Sequence, residues 1–337
     1  MKMARRITAL FCLLTAAVVA ILLKARGQRN FLTSDATLSF GGLQPDANST
    51  ALLPIIFLHG INGHASEFED IMRFIRLKFG KNAPTMHSIG ICDGTCSLRP
   101  LPKQRDELID YLVSNAADLG IDGEEGFNFV GHSQGGLLAR AVIQKLPTSL
   151  RVRRFVSLAS PQKGQYGECK QGRTGLGPEI EKKMARPIGW IAFYNYLAQS
   201  ELSIANYWND PRHGHLFRRE ASLLPELNGY LEDDDMTDQK DNFLRVERAI
   251  FLGSSDDDCI NPPLSSIFRY VDAEGNATSL DESLEYAQDT FGLQTMNQEG
   301  RLVLQNWPGN KHMSWIRVNN ASKEKSLFEL RVLPHLK

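Results

Sequence analysis

The sequence predicts an α/β fold built on a mostly parallel central sheet, and three observations carry that prediction. Short apolar runs of strand length alternate with segments of helical spacing. The stretch Phe127 to Gly136 reads Phe-Asn-Phe-Val-Gly-His-Ser-Gln-Gly-Gly, an apolar strand running through Gly-x-Ser-x-Gly into an apolar helix. The alternation breaks once, between Ser160 and about Arg245, where glycines and aromatics replace any strand pattern. The 337 residues, 42% hydrophobic, suffice for one sizeable core. A formal net charge of -1 gives no electrostatic footprint for nucleic acid, so none is expected as a partner.

Taken in order, the chain opens with Lys2, Arg5 and Arg6 before an apolar run from Ile7 to Leu23. That is the layout of a secretory signal, with an uncleaved signal anchor as the alternative because the run approaches spanning length. Residues 1–27 are read as that signal or anchor. Residues 28–51, polar and punctuated by Gly41, Gly42 and Pro45, are read as a linker. The sequons at Asn48, Asn276 and Asn320 support secretory routing. Beyond the leader lie Cys92, Cys96, Cys169 and Cys259. An oxidising compartment permits Cys92–Cys96 and Cys169–Cys259 as pairing options, and the spacing decides nothing further. Cys92-x-x-x-Cys96 has no matching second half-site, so no metal is expected, and no cofactor motif is present.

Leu52 to Leu58 reads as a buried parallel strand ending at His59-Gly60-Ile61. Ser66 to Phe79 reads as a helix, with Ser66 and Glu69 as a capping box. Pro84 to Ile91 predicts a second strand and Cys92-Asp93-Gly94 a turn. Arg105 to Leu119 predicts a helix with Leu108, Ile109, Leu112 and Val113 on one stripe. The Phe127 strand and its helix follow, then strands at Val152 to Leu158, Ala249 to Gly253 and Arg301 to Gln305. Helices are expected at Leu280 to Phe291 and Ser326 to Leu333. Residues 52–160 and 246–337 thus form the core, and 161–245 a helical insertion of the kind that caps an active site.

The Gly-x-Ser-x-Gly turn is a nucleophile elbow, which makes the prediction an α/β-hydrolase fold. A nucleophilic serine needs a base to take its proton and an acid to orient that base. In this fold they follow in the order serine, acid, histidine, each on a loop after a strand. Ser133 is the nucleophile candidate. His312, after the strand Arg301 to Gln305, is the base candidate. The loop after Ala249 to Gly253 holds Asp256, Asp257 and Asp258, any of which suits the acid. His132 adjoins the nucleophile, and its side chain is expected to point away from the elbow. The oxyanion hole is expected from the backbone N–H groups of Gln134 and Ile61.

At these residues the chain resembles the palmitoyl-protein thioesterases, most of all the second, lysosomal thioesterase type. The likeness runs from Ile55 to Leu333. It rests on Phe57-Leu58-His59-Gly60, Asp93-Gly94 with Ser97-Leu98-Arg99-Pro100-Leu101, and Ser133-Gln134-Gly135-Gly136. It continues through Ser160-Pro161-Gln162, Gly164-Gln165-Tyr166-Gly167 and Asn206-Tyr207-Trp208-Asn209-Asp210-Pro211. Asn242 to Val246 and Asp289 to Leu293 complete it. Several of these lie in the insertion, where generic α/β-hydrolases share nothing. The resemblance implies a fatty-acyl thioesterase, with Ser133, Asp257 and His312 as its triad and the insertion as its acyl-binding region. It puts the acid five residues before Pro262, and Ile260 and Pro262 suit the anchoring of such a loop. It implies a lysosomal or vacuolar lumen, or secretion, a fatty-acyl thioester as substrate, and transient contact with membrane or lipid. The same triad would cleave oxygen esters, so a lipase or carboxylesterase is the alternative, and a catalytically inactive lipid-binding homologue the third reading.

Overall fold

The computed structural model describes residues 52–170, 189–231, 235–318 and 325–337. The leader, the linker and the sequons at Asn48 and Asn320 lie outside the described residues. Six strands form one parallel sheet: β1 Ile55–Leu58, β2 Met86–Ile89, β3 Phe127–His132, β4 Val152–Leu158, β5 Arg248–Gly253 and β6 Leu302–Asn306. The spatial order is β2-β1-β3-β4-β5-β6. The alternation predicts this mostly parallel α/β sheet, and with the elbow after β3 it is the α/β-hydrolase fold.

The inner strands β1, β3 and β5 are apolar over most of their length because both faces are covered, while β2 and β6 at the sheet's edges carry polar residues. Successive side chains point to opposite faces, so Ile56, Leu58, Phe127, Phe129, Phe155 and Phe251 enter one core cluster. Ile55, Phe57, Val130, Val156, Ile250 and Leu252 enter the other. Full burial of each such side chain contributes about 1.5–3 kcal/mol. Helix α1, Glu69–Phe79, buries Ile71, Met72 and Ile75 in the second cluster. Helices α2, Leu101–Ser114, and α3, Gln134–Lys145, pack in the first.

Local details depart from the sequence reading. The capping box of α1 does not form: a short 3-10 turn occupies Ala65–Phe68, and the helix starts at Glu69 with no side-chain cap. The Ala65 amide donates instead to Asp93 Oδ1 at 3.0 Å, which draws the chain toward the neighbouring loop. Glu69 and Asp70 still complement the helix dipole in the first turn. Helix α2 begins earlier than expected, at Leu101 with Pro102 in its first turn. It buries Leu101, Leu108 and Leu112 and leaves Val113 43% exposed. The helix expected over Leu280 to Phe291 is a single turn, Leu284–Ala287. Asp289 and Gly292, at φ 51° and 93°, end it there. Asp289 Oδ1 then accepts from the amides of Gln294 and Thr295 at 2.8 and 3.1 Å, seeding an unforeseen helix at Leu293–Gln298. The C-terminus is a π-helical turn, Phe328–Val332, followed by a 3-10 turn at Leu333–Leu336.

The described part of 161–245 holds short helices at Gly189–Phe193, Tyr196–Glu201, Gly214–Glu220, Leu224–Leu227 and Asp235–Leu244, and no strand of the main sheet. Its buried aromatics join the first core cluster. Trp208 is fully buried, with Phe193 and Tyr166 rings at 4.6 and 5.9 Å.

Candidate active site

Every sequence-predicted site residue lies just past the carboxyl end of a sheet strand. Because the strands are all parallel, those ends share one edge. Strand order reverses at β1, which feeds β2 on one side while β3 pairs on the other. The crevice at such a switch point is where open α/β sheets bind ligands. Here it lies between the loop after β1 and the elbow after β3.

Ser133 closes β3 with φ 56° and ψ −131° and is 5% exposed. A non-glycine residue at positive φ is strained and needs surroundings that impose it. The Ser133 amide donates to Leu158 O at 2.8 Å, and its carbonyl accepts from Gly136 N at 3.0 Å. Two glycines make the turn sterically feasible. A Cβ on Gly131 would fall 2.5 Å from Gly135 O, and one on Gly135 would fall 2.3 Å from His59 O. Gln134 is the first residue of α3, so its amide has no intrahelical acceptor and points its partial positive charge outward.

The loop after β1 approaches the serine closely: a Cβ on Gly60 would lie 2.9 Å from Ser133 Cβ and 3.3 Å from Oγ. Ile61 follows. Gly63 N donates to Gly60 O at 3.1 Å, and Asn62 sits at φ 52°. His59 Nε2 pairs with Asp93 Oδ1 at 3.0 Å. Asn62 N donates to Ser97 Oγ at 2.6 Å.

Asp257 and His312 meet in the interior. His312 Nδ1 lies 3.0 and 3.1 Å from the two Asp257 oxygens, with both side chains almost wholly buried. Asp257 Oδ1 also accepts from the Cys259 and Ile260 amides, each at 2.8 Å. A carboxylate only accepts, so Nδ1 carries the proton and Nε2 keeps its lone pair. The neighbouring aspartates cap loop amides. Asp256 Oδ2 accepts from Gly309 N at 2.8 Å, and Asp258 Oδ1 accepts from the amide of His312 itself at 3.1 Å.

His132 makes its contacts with His312. Its ring packs against the His312 ring, centroids 4.7 Å apart, and Nε2–H donates to His312 O at 3.0 Å. Strand alternation explains the placement: His132 is the last residue of β3, and its side chain leaves the sheet on the opposite face from Gly131. His312 is therefore gripped at its amide, its carbonyl and its ring.

Both optional cysteine pairs are disulfides, Cys92–Cys96 and Cys169–Cys259. The second ties the Asp257 loop to the start of the insertion. Lys170 N donates to Asp258 O at 2.8 Å, and Gln165 Nε2 donates to Cys259 O at 3.0 Å. From the insertion, Tyr207 OH donates to Gln134 Oε1 at 3.2 Å. Sequence reasoning assigned no role to Asp93, Ser97, Tyr207 or the Gln134 side chain. Three lay inside the motifs Asp93-Gly94, Ser97 to Leu101 and Asn206 to Pro211, and that was their only signal.

A pocket of about 30 Å³ opens beside the elbow, lined by Leu58, His59, Ile89, Ser97, Gln134 and Leu138 among others. That is room for roughly one water. None of the described residues of 161–245 lines it.

The family model for palmitoyl protein thioesterases matches residues 54–312. The chain belongs to the palmitoyl protein thioesterase family. The match takes in Ile61, Ser133, Gln134 and Asp257 and ends at His312. Relatives of this family member include "Lysosomal thioesterase PPT2-B" of Xenopus laevis, 29% identical over 84% of this chain and 93% of that protein. "Lysosomal thioesterase PPT2 homolog" of Drosophila melanogaster is 32% identical over 79% of this chain and 88% of that protein. Among solved structures, the mature Bacillus licheniformis lipase BlEst2 is 16% identical, with a TM-score of 0.42, over 88% of this chain and 96% of its own. Among the described residues no helix is long and apolar enough to cross a membrane.

Proposed function

We propose that this thioesterase hydrolyses long-chain fatty-acyl thioesters, palmitoyl-CoA or S-palmitoylated cysteine derivatives, through an acyl-enzyme on Ser133. The observation that carries the reading is the buried His312–Asp257 pair, standing on the same sheet edge as the Ser133 elbow. His312 Nε2 takes the Ser133 proton as Oγ attacks the thioester carbonyl. The Gln134 and Ile61 amides receive the charge that develops on the carbonyl oxygen. The intermediate collapses, the C–S bond breaks, and His312 returns the proton to the departing sulfur. A thiolate leaves more easily than an alkoxide, so this step needs little acid help. Water, deprotonated by His312, then attacks the acyl-serine; the acyl C–Oγ bond breaks, His312 returns the proton to Ser133 Oγ, and the fatty acid leaves. Asp257 holds the Nδ1–H tautomer throughout.

The insertion supplies the acyl-binding region in this reading. The small pocket beside the elbow cannot hold a long chain, and the described part of 161–245 brings a large apolar set, Phe193, Ile204, Tyr207 and Trp208 among it, into the core cluster on the elbow-helix side of the sheet. The curated relatives' names and the two disulfides fit a lysosomal lumen, an oxidising route that a secretory leader would serve.

Fluorophosphonate labelling tests the mechanism. The wild-type chain is expected to be labelled at Ser133 and Ser133→Ala to be unlabelled and folded. Ser133→Ala should retain no more than the rate that binding and the oxyanion hole alone sustain, on the order of 10³-fold over water. Near-normal turnover by that variant would remove Ser133 from the mechanism. Side-by-side rates on palmitoyl-CoA and a matched palmitate oxygen ester decide between thioesterase and lipase or carboxylesterase.

A further inference from the structure

We propose that Ser97 is a positioning residue that sets the spacing of the two oxyanion-hole amides. This rests on the oxyanion assignment of Ile61 and Gln134 above. Ser97 is 2% exposed and is hydrogen-bonded to the amide of the residue after Ile61 and to the side chain of Gln134. Its hydroxyl accepts from the Asn62 amide at 2.6 Å and donates to Gly94 O at 2.6 Å. Its carbonyl accepts from Gln134 Nε2 at 2.7 Å and from Gln104 Nε2 at 3.0 Å.

The geometry makes the link specific. Asn62 directly follows Ile61 in the turn closed by Gly63 N and Gly60 O. Holding the Asn62 N–H fixes the peptide plane that carries the Ile61 carbonyl; the Ile61 N–H lies in the preceding plane, so Ser97 restrains it by limiting the φ and ψ open to Ile61 within the Gly60–Gly63 turn. Asn62 is at φ 52°, a conformation that an isolated turn would hold only weakly, so an external acceptor for its amide matters. On the other side, the Gln134 side chain belongs to the residue whose backbone amide is the second donor. Ser97 thus bridges two segments, one after β1 and one after β3, that share no hydrogen bond of the sheet ladder beyond the strand ends.

Ser97 is itself held firmly. It lies in the 3-10 turn Gly94–Leu98, anchored by the Cys92–Cys96 disulfide. Asp93 inside that disulfide loop pairs with His59, and Gly94 N donates to Gly63 O at 2.7 Å. The whole 92–98 segment is a brace against the loop after β1.

An oxyanion donor acts on charge that exists only in the transition state, so its displacement lowers kcat and spares KM. Loss of a donor outright costs about 10²–10³-fold, and a misplacement near 1 Å costs on the order of 10²-fold. Ser97→Ala should therefore lower kcat on palmitoyl-CoA about 10- to 100-fold with KM changed less than about twofold. Fluorophosphonate inactivation should slow in parallel, because the phosphonyl oxygen uses the same hole. Ser97→Thr, which keeps the hydroxyl, should recover most of the rate.

The assay uses the purified full chain, with thermal melting to check folding. If Ser97→Ala keeps kcat within about threefold while Ser133→Ala is inactive, the positioning role is wrong and the thioesterase mechanism stands. If Ser97→Ala raises KM at unchanged kcat, Ser97 contacts substrate and the positioning role is again wrong. If the wild type is neither labelled nor active, the mechanism itself fails and takes this inference with it. Where Ser97→Ala does not fold, Gln134→Leu removes the other arm of the bridge and keeps the backbone amide. A loss confined to kcat in that variant supports the bridge, and unchanged kcat overturns it.

Discussion

Asp257→Asn should be close to inactive, and the structure says why the amide cannot simply flip to help. Asp257 Oδ1 accepts from two backbone amides, Cys259 N and Ile260 N, each at 2.8 Å. The NH₂ group of the substituted side chain, placed there, would face two donors, so the amide oxygen must stay in that position. The NH₂ then occupies the Oδ2 position, 3.0 Å from His312 Nδ1. The oxygen left at Oδ1, 3.1 Å from Nδ1, already accepts from two amides, so the facing NH₂ favours Nδ1 as acceptor; that moves the imidazole proton to Nε2, where it would block proton uptake from Ser133. The serine-protease precedent for this wrong tautomer is roughly a 10⁴-fold loss in kcat, a barrier increase of about 5 kcal/mol. Asp256→Asn and Asp258→Asn are the controls. Each accepts from one loop amide, Gly309 N or His312 N, and an asparagine oxygen reproduces that bond. Both should stay within about tenfold of wild type, under about 1.4 kcal/mol. Thiol release from palmitoyl-CoA, with thermal melting as the folding check, measures all three. A crippling Asp258→Asn beside an active Asp257→Asn would refute the reasoning.

Two further outcomes are expected. Affinity across an acyl-CoA series should climb with chain length by about fourfold per methylene, about 0.8 kcal/mol each, until the groove is full. A flat response would argue for a small-ester site instead. Burial, then the charges of Arg248 and Arg154, push the His335 pKa down to about 4. Its unfolded value is near 6.5, so the unfolded state takes up the proton first as pH falls. The stabilising contribution is thus whole above about pH 6.5 and is lost toward pH 4. From pH 7 to pH 5 this one site should cost about 1–2 kcal/mol, allowing for its partial exposure. In urea unfolding, His335→Asn should shrink the drop between those pH values by that amount, and an unchanged drop would refute the assignment.

The strand rhythm was legible because a sheet covered on both faces demands apolar runs, and Ile55–Leu58, Phe155–Val156 and Ala249–Leu252 supply them inside β1, β4 and β5. The Ser133 elbow was legible because its glycines answer a local steric demand that any such turn imposes. The position of His312 after the last strand was legible from order alone, since parallel strands put all their carboxyl ends on one edge. By itself, then, the sequence determined what local patterns and strand order determine: the fold, the serine turn and the loops from which the other groups come.

Tertiary structure decided the rest, because each remaining feature depends on segments far apart in the chain. Ser66 and Glu69 fit a capping box by spacing, but Asp93, from another loop, took the Ala65 amide. Leu280 to Phe291 fits a helix by composition, but Asp289 seeds the next helix instead. Local pattern left Asp256, Asp257 and Asp258 equivalent, and only the resemblance chose among them. The fold separates them by which amide or ring each meets far along the chain, His312 Nδ1 for Asp257 and His312 N for Asp258. His132 reached His312 across 180 positions and Tyr207 reached Gln134 across 73. A hydrogen bond is fixed by distance and direction in space, and sequence spacing constrains those only within one turn or one strand.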